Sequence, residues 1–219
     1  MIEMDQAGEY RKAFGALRRF ALPHRPVERC ELCSAPLGGG HPHLLETEVR
    51  RIVCACDACA LLMTPHGGRY KRVPRRVELL ADFQLTDGEW DGMMIPIGMA
   101  FFFKSGKTGK ITALYPGPGG ATESLLSLDT WQDIAARNPR LAEIEPDVEA
   151  LLANRLGSSR GFGEPEYYVL PIDECYRLVG LIRSGWRGLS GGTEVWDTLQ
   201  QFFQSLKYRA VTTTRGAYA

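Results

Sequence analysis

Two Cys-x-x-Cys pairs, Cys30-Glu31-Leu32-Cys33 and Cys56-Asp57-Ala58-Cys59, are separated by the 22 residues from Ser34 to Ala55. Each pair can place two thiolates on one small ion from a tight turn. Four thiolates in tetrahedral array suit Zn²⁺, or alternatively the Fe of a rubredoxin-like site. The common zinc pattern puts about 15–20 residues between its pairs. A slightly longer hairpin absorbs the difference, because loop length costs little free energy. Two unrelated pairs of free thiols would leave the spacing unexplained. The expected ligands are Cys30, Cys33, Cys56 and Cys59. Cys54 is an alternative, because alternation along a strand would turn Cys54 and Cys56 to the same side and make Cys54 a fifth thiol beside the metal. His24, His41, His43 and His66 are also within reach, but four cysteines complete a tetrahedral shell. The histidines therefore read as surface or turn residues.

The elements that must position these thiols follow from the flanking pattern. Residues 27–76 read as a zinc-ribbon-like module. Pro36-Leu37-Gly38-Gly39-Gly40 is a turn-rich loop after the first pair. Leu44 to Val53 reads as a strand that delivers the second pair, and Ala60-Leu61-Leu62-Met63 as the strand that leaves it. Residues 1–26 hold an amphipathic helix over 3–20, with Tyr10, Phe14, Leu17 and Ala21 on one stripe, ended by Pro23 and Pro26.

Residues 77–211 read as an α+β body, and 212–219 as a tail. Val77 to Leu85 reads as one strand, followed by a turn or short helix from Thr86 toward Trp90. The apolar run from Gly92 to Phe103 is a buried strand in its second half. Lys104–Gly109 is a hairpin tip, Lys110–Tyr115 the returning strand, and Pro116–Gly120 its close. A helix starts at Leu128-Asp129-Thr130-Trp131-Gln132, with Asp129 as N-cap, and ends near Asn138-Pro139. Pro146 opens another, with Val148, Leu151, Leu152 and Leu156 on one face. Gly157 to Pro165 is a connecting loop and Glu166 to Leu170 a short strand. Asp173 caps a helix whose Cys175, Leu178, Val179 and Ile182 form an apolar stripe, so Cys175 is a core residue. Trp196, Leu199, Phe203 and Leu206 mark a last helix from Thr193. The fold expected is α+β: a Cys₄ zinc ribbon, then a mixed body with a small antiparallel sheet and about four helices.

Composition narrows the function. Among 219 residues, 44% are hydrophobic and 24% charged, the balance of a soluble globular protein. No apolar run reaches membrane-spanning length, and the first residues carry Asp5 and Glu9 without an apolar signal region. A cytoplasmic location is expected, where thiols stay reduced and metal is favoured over disulfides. Net charge is zero, which removes a global pull toward nucleic acid. The charge is uneven: residues 1–80 hold 13 Lys+Arg against 9 Asp+Glu, and the remainder 13 against 17.

Arg69-Tyr70-Lys71-Arg72-Val73-Pro74-Arg75-Arg76 places five basic residues in eight. It reads as a solvated edge with Arg side chains packed on the module; a nucleic-acid or acidic-protein contact is the competing reading. Gly106-Lys107-Thr108 resembles the end of a phosphate loop, but that loop needs Gly, four intervening residues, then Gly-Lys-Thr, and position 101 is Phe. No Ser-His-Asp order, His-Glu-x-x-His or dinucleotide fingerprint is present, and all four histidines lie between positions 24 and 66. The sequence leans against an enzyme.

Several stretches together resemble a bacterial family of unknown function: Glu28–Cys33, Cys54–Leu62, Gly68-Arg69-Tyr70-Lys71 with Val73-Pro74, Ala100–Phe103, Gly120–Leu126 and Pro171–Gly180. The resemblance covers about residues 28–207. Members of that family are often encoded beside high-affinity, oxygen-tolerant, actinobacterial-type NiFe hydrogenases. The resemblance implies an accessory or maturation role, with a hydrogenase subunit or maturation factor as protein partner, and supplies no catalytic residues. The leading expectation is a metal-binding accessory protein that works through protein–protein contacts. A rubredoxin-like iron protein in electron transfer or redox sensing, and a zinc-ribbon nucleic-acid-binding protein, are the alternatives.

Overall fold

The computed structural model describes residues 27–64, 68–124, 129–157, 162–188 and 191–213. The helix expected over 3–20, His24 and His66 lie outside these residues. The described chain builds the α+β class expected, with two sheets and five α-helices.

The first sheet has three antiparallel strands in the order β2-β1-β3: β1 (His43–Glu46), β2 (Arg51–Cys54) and β3 (Tyr70–Arg72). Residues 44–53 are therefore a hairpin and not one strand. Arg50 takes a left-handed φ of 53° in the turn, which reverses the chain between Glu46 and Arg51. The second pair opens helix α1 (Asp57–Met63). Ala60-Leu61-Leu62-Met63 is thus helical where a strand was expected. Ala, Leu and Met are strong helix formers, and a capping sulfur at position 56 starts the turn.

The body is a seven-stranded sheet in the order β10-β4-β9-β8-β5-β6-β7. Its strands are β4 (Glu78–Leu80), β5 (Met99–Lys104), β6 (Ile111–Gly117), β7 (Gly120–Glu123), β8 (Glu149–Asn154), β9 (Glu166–Pro171) and β10 (Val211–Thr213). Only β10 against β4 is parallel; the other pairs are antiparallel. Residues 211–213 therefore extend the sheet at its edge, where a tail from 212 was expected.

The segment expected as a helix after Pro146 is the central strand β8. Val148, Leu151 and Leu152 do recur at helical spacing, but the strand is buried on both faces. A strand covered on both sides reads as a continuous apolar run, which periodicity alone does not separate from a helix. Alternation is visible once the partners are placed. Met99, Phe101 and Phe103 of β5, Ala150 and Leu152 of β8, and Tyr168 and Leu170 of β9 share one face. Helices α4 (Ile172–Gly185) and α5 (Thr193–Arg209) cover it with Leu178, Ile182, Leu199, Phe203 and Leu206. The other face, with Phe102, Leu151 and Val169, packs against Trp90 of α2 (Asp87–Gly92), Ile134 of α3 (Asp129–Arg137), Leu141 and Ile144.

The strand expected from Val77 to Leu85 shortens to β4. Gln84 donates its backbone N–H to Asn138 Oδ1 at 2.8 Å, outside the sheet. Thr86 then caps α2 in a reciprocal box with Glu89.

The small sheet is not a free-standing lobe. Leu45 of β1 is fully buried in the body's core, and Ile52 of β2 packs against the same core. Lys71 donates to Asp147 at 2.7 Å and to the Pro146 carbonyl at 3.1 Å. The Arg50 guanidinium stacks 4.0 Å above the Phe103 ring.

Candidate metal centre

Cys30 and Cys33 sit on a tight knuckle. Cys30 N–H donates to the Ala35 carbonyl at 2.8 Å and Ser34 N–H to the Cys30 carbonyl at 2.7 Å. Ser34 closes the turn at φ 62°, a left-handed conformation that is uncommon outside glycine. Cys56 and Cys59 are delivered differently. Cys56 is the N-cap of α1, and its sulfur accepts the Cys59 N–H at 3.4 Å. The arrangement is knuckle, hairpin, helix, so one pair comes from a turn and the other from a helix N-terminus. A ribbon or rubredoxin-like site would use a second knuckle there.

The ligand atoms of Cys30, Cys33, Cys56 and Cys59 lie within 4.8 Å of one another. The Cys33 and Cys56 sulfurs are 3.7 Å apart. A tetrahedron with metal–sulfur bonds of about 2.3 Å has an edge of about 3.8 Å. The four cysteines are therefore close enough to bind a metal ion. Leu44, Val53, Ala55, Ala60 and Tyr70 form a small apolar shell around Cys30.

The thiols do not share charge evenly. Burial pushes Cys30 up, but backbone N–H groups of Cys56, Leu32 and Cys33 outweigh it and bring the thiol down to about 6. Cys59 and Cys33 go the other way. The Cys33 and Cys56 side chains, with burial, push Cys59 up to about 12. Cys33 is also raised: the Ala35 backbone N–H works to lower it, and the Cys30 and Cys56 sulfurs prevail. The cluster stabilises one thiolate and resists the next, because the negative charges share a small volume. A cation at the centre would offset this repulsion.

Cys54 is not a fifth thiol of this cluster. The strand ends at Cys54 and the chain turns into the helix cap, so alternation does not carry through to Cys56. Leu44 and Val53 face the four cysteines, while Leu45 and Ile52 face the body. Cys54 shares the body-facing side with Ile52, and His43, its cross-strand partner, shares it with Leu45. There Cys54, His41 and His43 bring ligand atoms within 4.8 Å of one another. His43 Nδ1 lies 2.5 Å from Asp173 Oδ2. Asp173 was expected to cap α4, but Pro171 occupies the N-cap position; Asp173 Oδ1 accepts the Glu174 N–H at 2.9 Å and Oδ2 meets the histidine of the small sheet. No signal in one sequence links residues 130 positions apart.

Other sequence features resolve into packing. Cys175 is fully buried in the body's core, and burial holds its thiol well above the ordinary value. Four residues of the basic stretch have partners within the chain. Arg69 pairs with Glu46, Lys71 with Asp147, Arg75 with the Gly40 carbonyl and Arg76 with Glu78. Arg69 also holds the Glu46 carboxyl below its usual range. At the Lys104–Gly109 tip, Gly106 N–H donates to Asp147 Oδ1 at 2.8 Å, so a carboxylate sits where a phosphate would. A Cβ on Gly106 would come 2.3 Å from Asp147 Oδ2, which explains the glycine.

A cleft of about 430 Å³ opens elsewhere, lined by Ile97, Met99, Tyr115, Trp186, Trp196 and Arg155 among others. Arg155 is already bonded to Asp87, the Leu85 carbonyl and Tyr167. No helix among the described residues is long and apolar enough to cross a membrane.

A family of unknown function matches residues 29–210, from the knuckle to the end of α5. The chain belongs to that family, DUF5947. The matched region contains both Cys-x-x-Cys pairs, His41, His43, Cys54 and Asp173. No curated protein and no solved structure matches the chain.

Proposed function

We propose that this chain is a metal-binding accessory protein whose Cys30, Cys33, Cys56 and Cys59 hold Zn²⁺ as a structural ion, and that it acts by docking on another protein. The observation that carries the reading is the four-sulfur cluster, with its 3.7 Å edge and single stabilised thiolate. Zinc is favoured over iron because the second pair rises from a helix N-terminus, not from a second knuckle. The ion would fix the relation of knuckle to helix in a module whose own apolar core is small.

Docking is supported by α1 itself. Leu61 and Leu62 follow the last ligand, Cys59, after the buried Ala60, and are 71% and 77% exposed, with Met63 beside them. Adjacent exposed apolar side chains on a rigid element suit a protein partner. The resemblance to a family encoded beside NiFe hydrogenases points to a hydrogenase subunit or maturation factor as that partner. A cytoplasmic location and the absence of a catalytic role belong to the same proposal. The pairing of the basic stretch within the chain counts against nucleic acid.

The test is metal content with an absorption spectrum on protein purified without added metal, in wild type and Cys59→Ser. Zinc in the wild type, no visible colour, and one zinc equivalent lost in the variant are expected. Iron with a red oxidised spectrum would replace this reading with electron transfer. For the partner, hydrogenase components should co-purify with wild type and be lost in Leu61→Ser/Leu62→Ser. Retention in that variant, or no effect of deletion on hydrogenase activity, would refute the docking role.

A further inference from the structure

His41, His43 and Cys54 are not explained by the Cys₄ cluster. All three sit where the loop enters β1 and where β2 ends, on the side of the small sheet that faces the body. His43 and Cys54 are direct cross-strand partners, and His41 is two residues before His43. The two imidazole rings meet edge to face with centroids 5.0 Å apart.

Each histidine has one nitrogen committed and one left over. His41 Nδ1 lies 3.1 Å from the Gly38 carbonyl and 3.5 Å from Glu28 Oε2. Both neighbours are acceptors, so Nδ1 carries the proton and Nε2 keeps a lone pair. That Nε2 is shut off from solvent and has no hydrogen-bond partner, on a side chain only 10% exposed. A buried ring nitrogen without a partner is a cost that a folded protein rarely leaves standing. His43, on a side chain 33% exposed, is likewise held through one nitrogen. Its Nδ1 faces Asp173 Oδ2 at 2.5 Å, which fixes the same tautomer and leaves Nε2 as the ligand. Carboxylate–histidine–metal triads are oriented in this way. The Cys54 thiol makes no hydrogen bond among the described residues and supplies a soft third donor.

We propose that His41, His43 and Cys54 form a second metal site, distinct from the Cys₄ centre, for a borderline divalent transition-metal ion of the Zn²⁺ or Co²⁺ class. Two imidazoles and one thiolate select such ions over Mg²⁺ or Ca²⁺. The three residues bring ligand atoms within 4.8 Å of one another, against the about 3.4–3.8 Å edge of a tetrahedral site. Three protein ligands leave a fourth position for water or an exogenous group. The surrounding charge suits a cation, with Glu28, Glu31 and Asp173 against Arg75. Asp173 belongs to α4 and the ligands to the small sheet, so an ion here would tie the module to the body. This inference does not depend on what fills the Cys₄ centre.

The test is metal stoichiometry on the full chain, after loading with Co²⁺ and removal of free ion. Wild type should hold two equivalents, Cys59→Ser one, Cys54→Ser one and His41→Ala one. Loss of an equivalent in Cys59→Ser alone, with full loading in the other two variants, would overturn the second site and leave the first intact. Loss in Cys54→Ser and His41→Ala alone would support the second site and overturn the first. In case a variant folds poorly, the wild type is first filled with one equivalent of Zn²⁺ and then titrated with Co²⁺. A thiolate-to-cobalt band of single-sulfur intensity is expected, and its absence would overturn the proposal. Asp173→Asn should keep the stoichiometry but weaken the second equivalent by about 10–100-fold. An unchanged affinity would remove Asp173 as the positioning residue.

Discussion

Leu45 belongs to the metal module by sequence and to the body's core by contact. Replacing it with alanine tests whether the two fold as one. The side chain is fully buried and belongs to the body's core cluster. Truncation removes three carbons, at about 0.8 kcal/mol of lost transfer free energy each, and leaves a cavity. The expected cost is about 2–5 kcal/mol, and near 3 if the hairpin settles part-way into the gap. Two probes separate the halves of the molecule. All four tryptophans (Trp90, Trp131, Trp186 and Trp196) lie in the body, so their fluorescence reports it alone. Cobalt bound by the four cysteines reports the module through its thiolate absorption. In urea, both wild-type transitions should coincide. In Leu45→Ala both midpoints should fall together by an amount equivalent to about 3 kcal/mol. A tryptophan midpoint that stays put while the cobalt band moves would refute the shared core. It would mean that the hairpin rests on the body without stabilising it.

Three further outcomes follow from polar contacts away from the metal centre. Arg140, on the 3₁₀ turn Pro139–Glu143, is 4% exposed and donates to both oxygens of the buried Glu78 at 2.8 and 3.1 Å; a second carboxylate, Glu149, lies 3.7 Å away. Arg140→Ala should cost about 3–5 kcal/mol in urea unfolding, because it strips the cation from two buried carboxylates. A loss under 1 kcal/mol would show that Arg76 alone satisfies them. Thr86→Ala removes the α2 cap and should cost about 1 kcal/mol. The Thr86 backbone N–H, with Arg137, holds the Glu89 carboxyl below its usual range. Its contribution is therefore complete above the unfolded value and lost as pH falls through the depressed folded value. Glu89→Gln should be less stable than wild type at neutral pH, and the gap should close on acidification. A gap that widens in acid would contradict the assignment.

The Cys₄ cluster was legible because ligand spacing is local: each pair needs only one turn to present two sulfurs. The Met99–Phe103 strand was legible too, since a long apolar run next to a hairpin tip leaves few options. Errors arose where burial was two-sided or a boundary was misplaced. Val148–Leu156 looked helical because every residue of β8 is covered. Ala60–Met63 looked extended because the capping role of Cys56 is set by three-dimensional position. The alternation that would have set Cys54 beside Cys56 stops for the same reason, because the strand ends at Cys54 and the chain turns into the helix cap. The Asp173–His43 contact had no local signal at all. It depends on α4 returning to the small sheet after the whole body has been threaded.

That return has a consequence for how the chain is made. The hairpin is a wall with a side for the cysteines and a side for the body. The ribosome delivers the wall first, and Asp173 comes 130 residues after His43. At about 5–20 residues per second, the nascent module waits about 7–26 s for its counterpart. During that interval Leu45, Ile52 and Cys54 face solvent, and only the cysteine side has its full set of partners. Metal capture at the four sulfurs would be the event that preserves the hairpin's shape until the body arrives to cover it. Metal supply at the moment of translation would then govern how much of the chain reaches the finished fold.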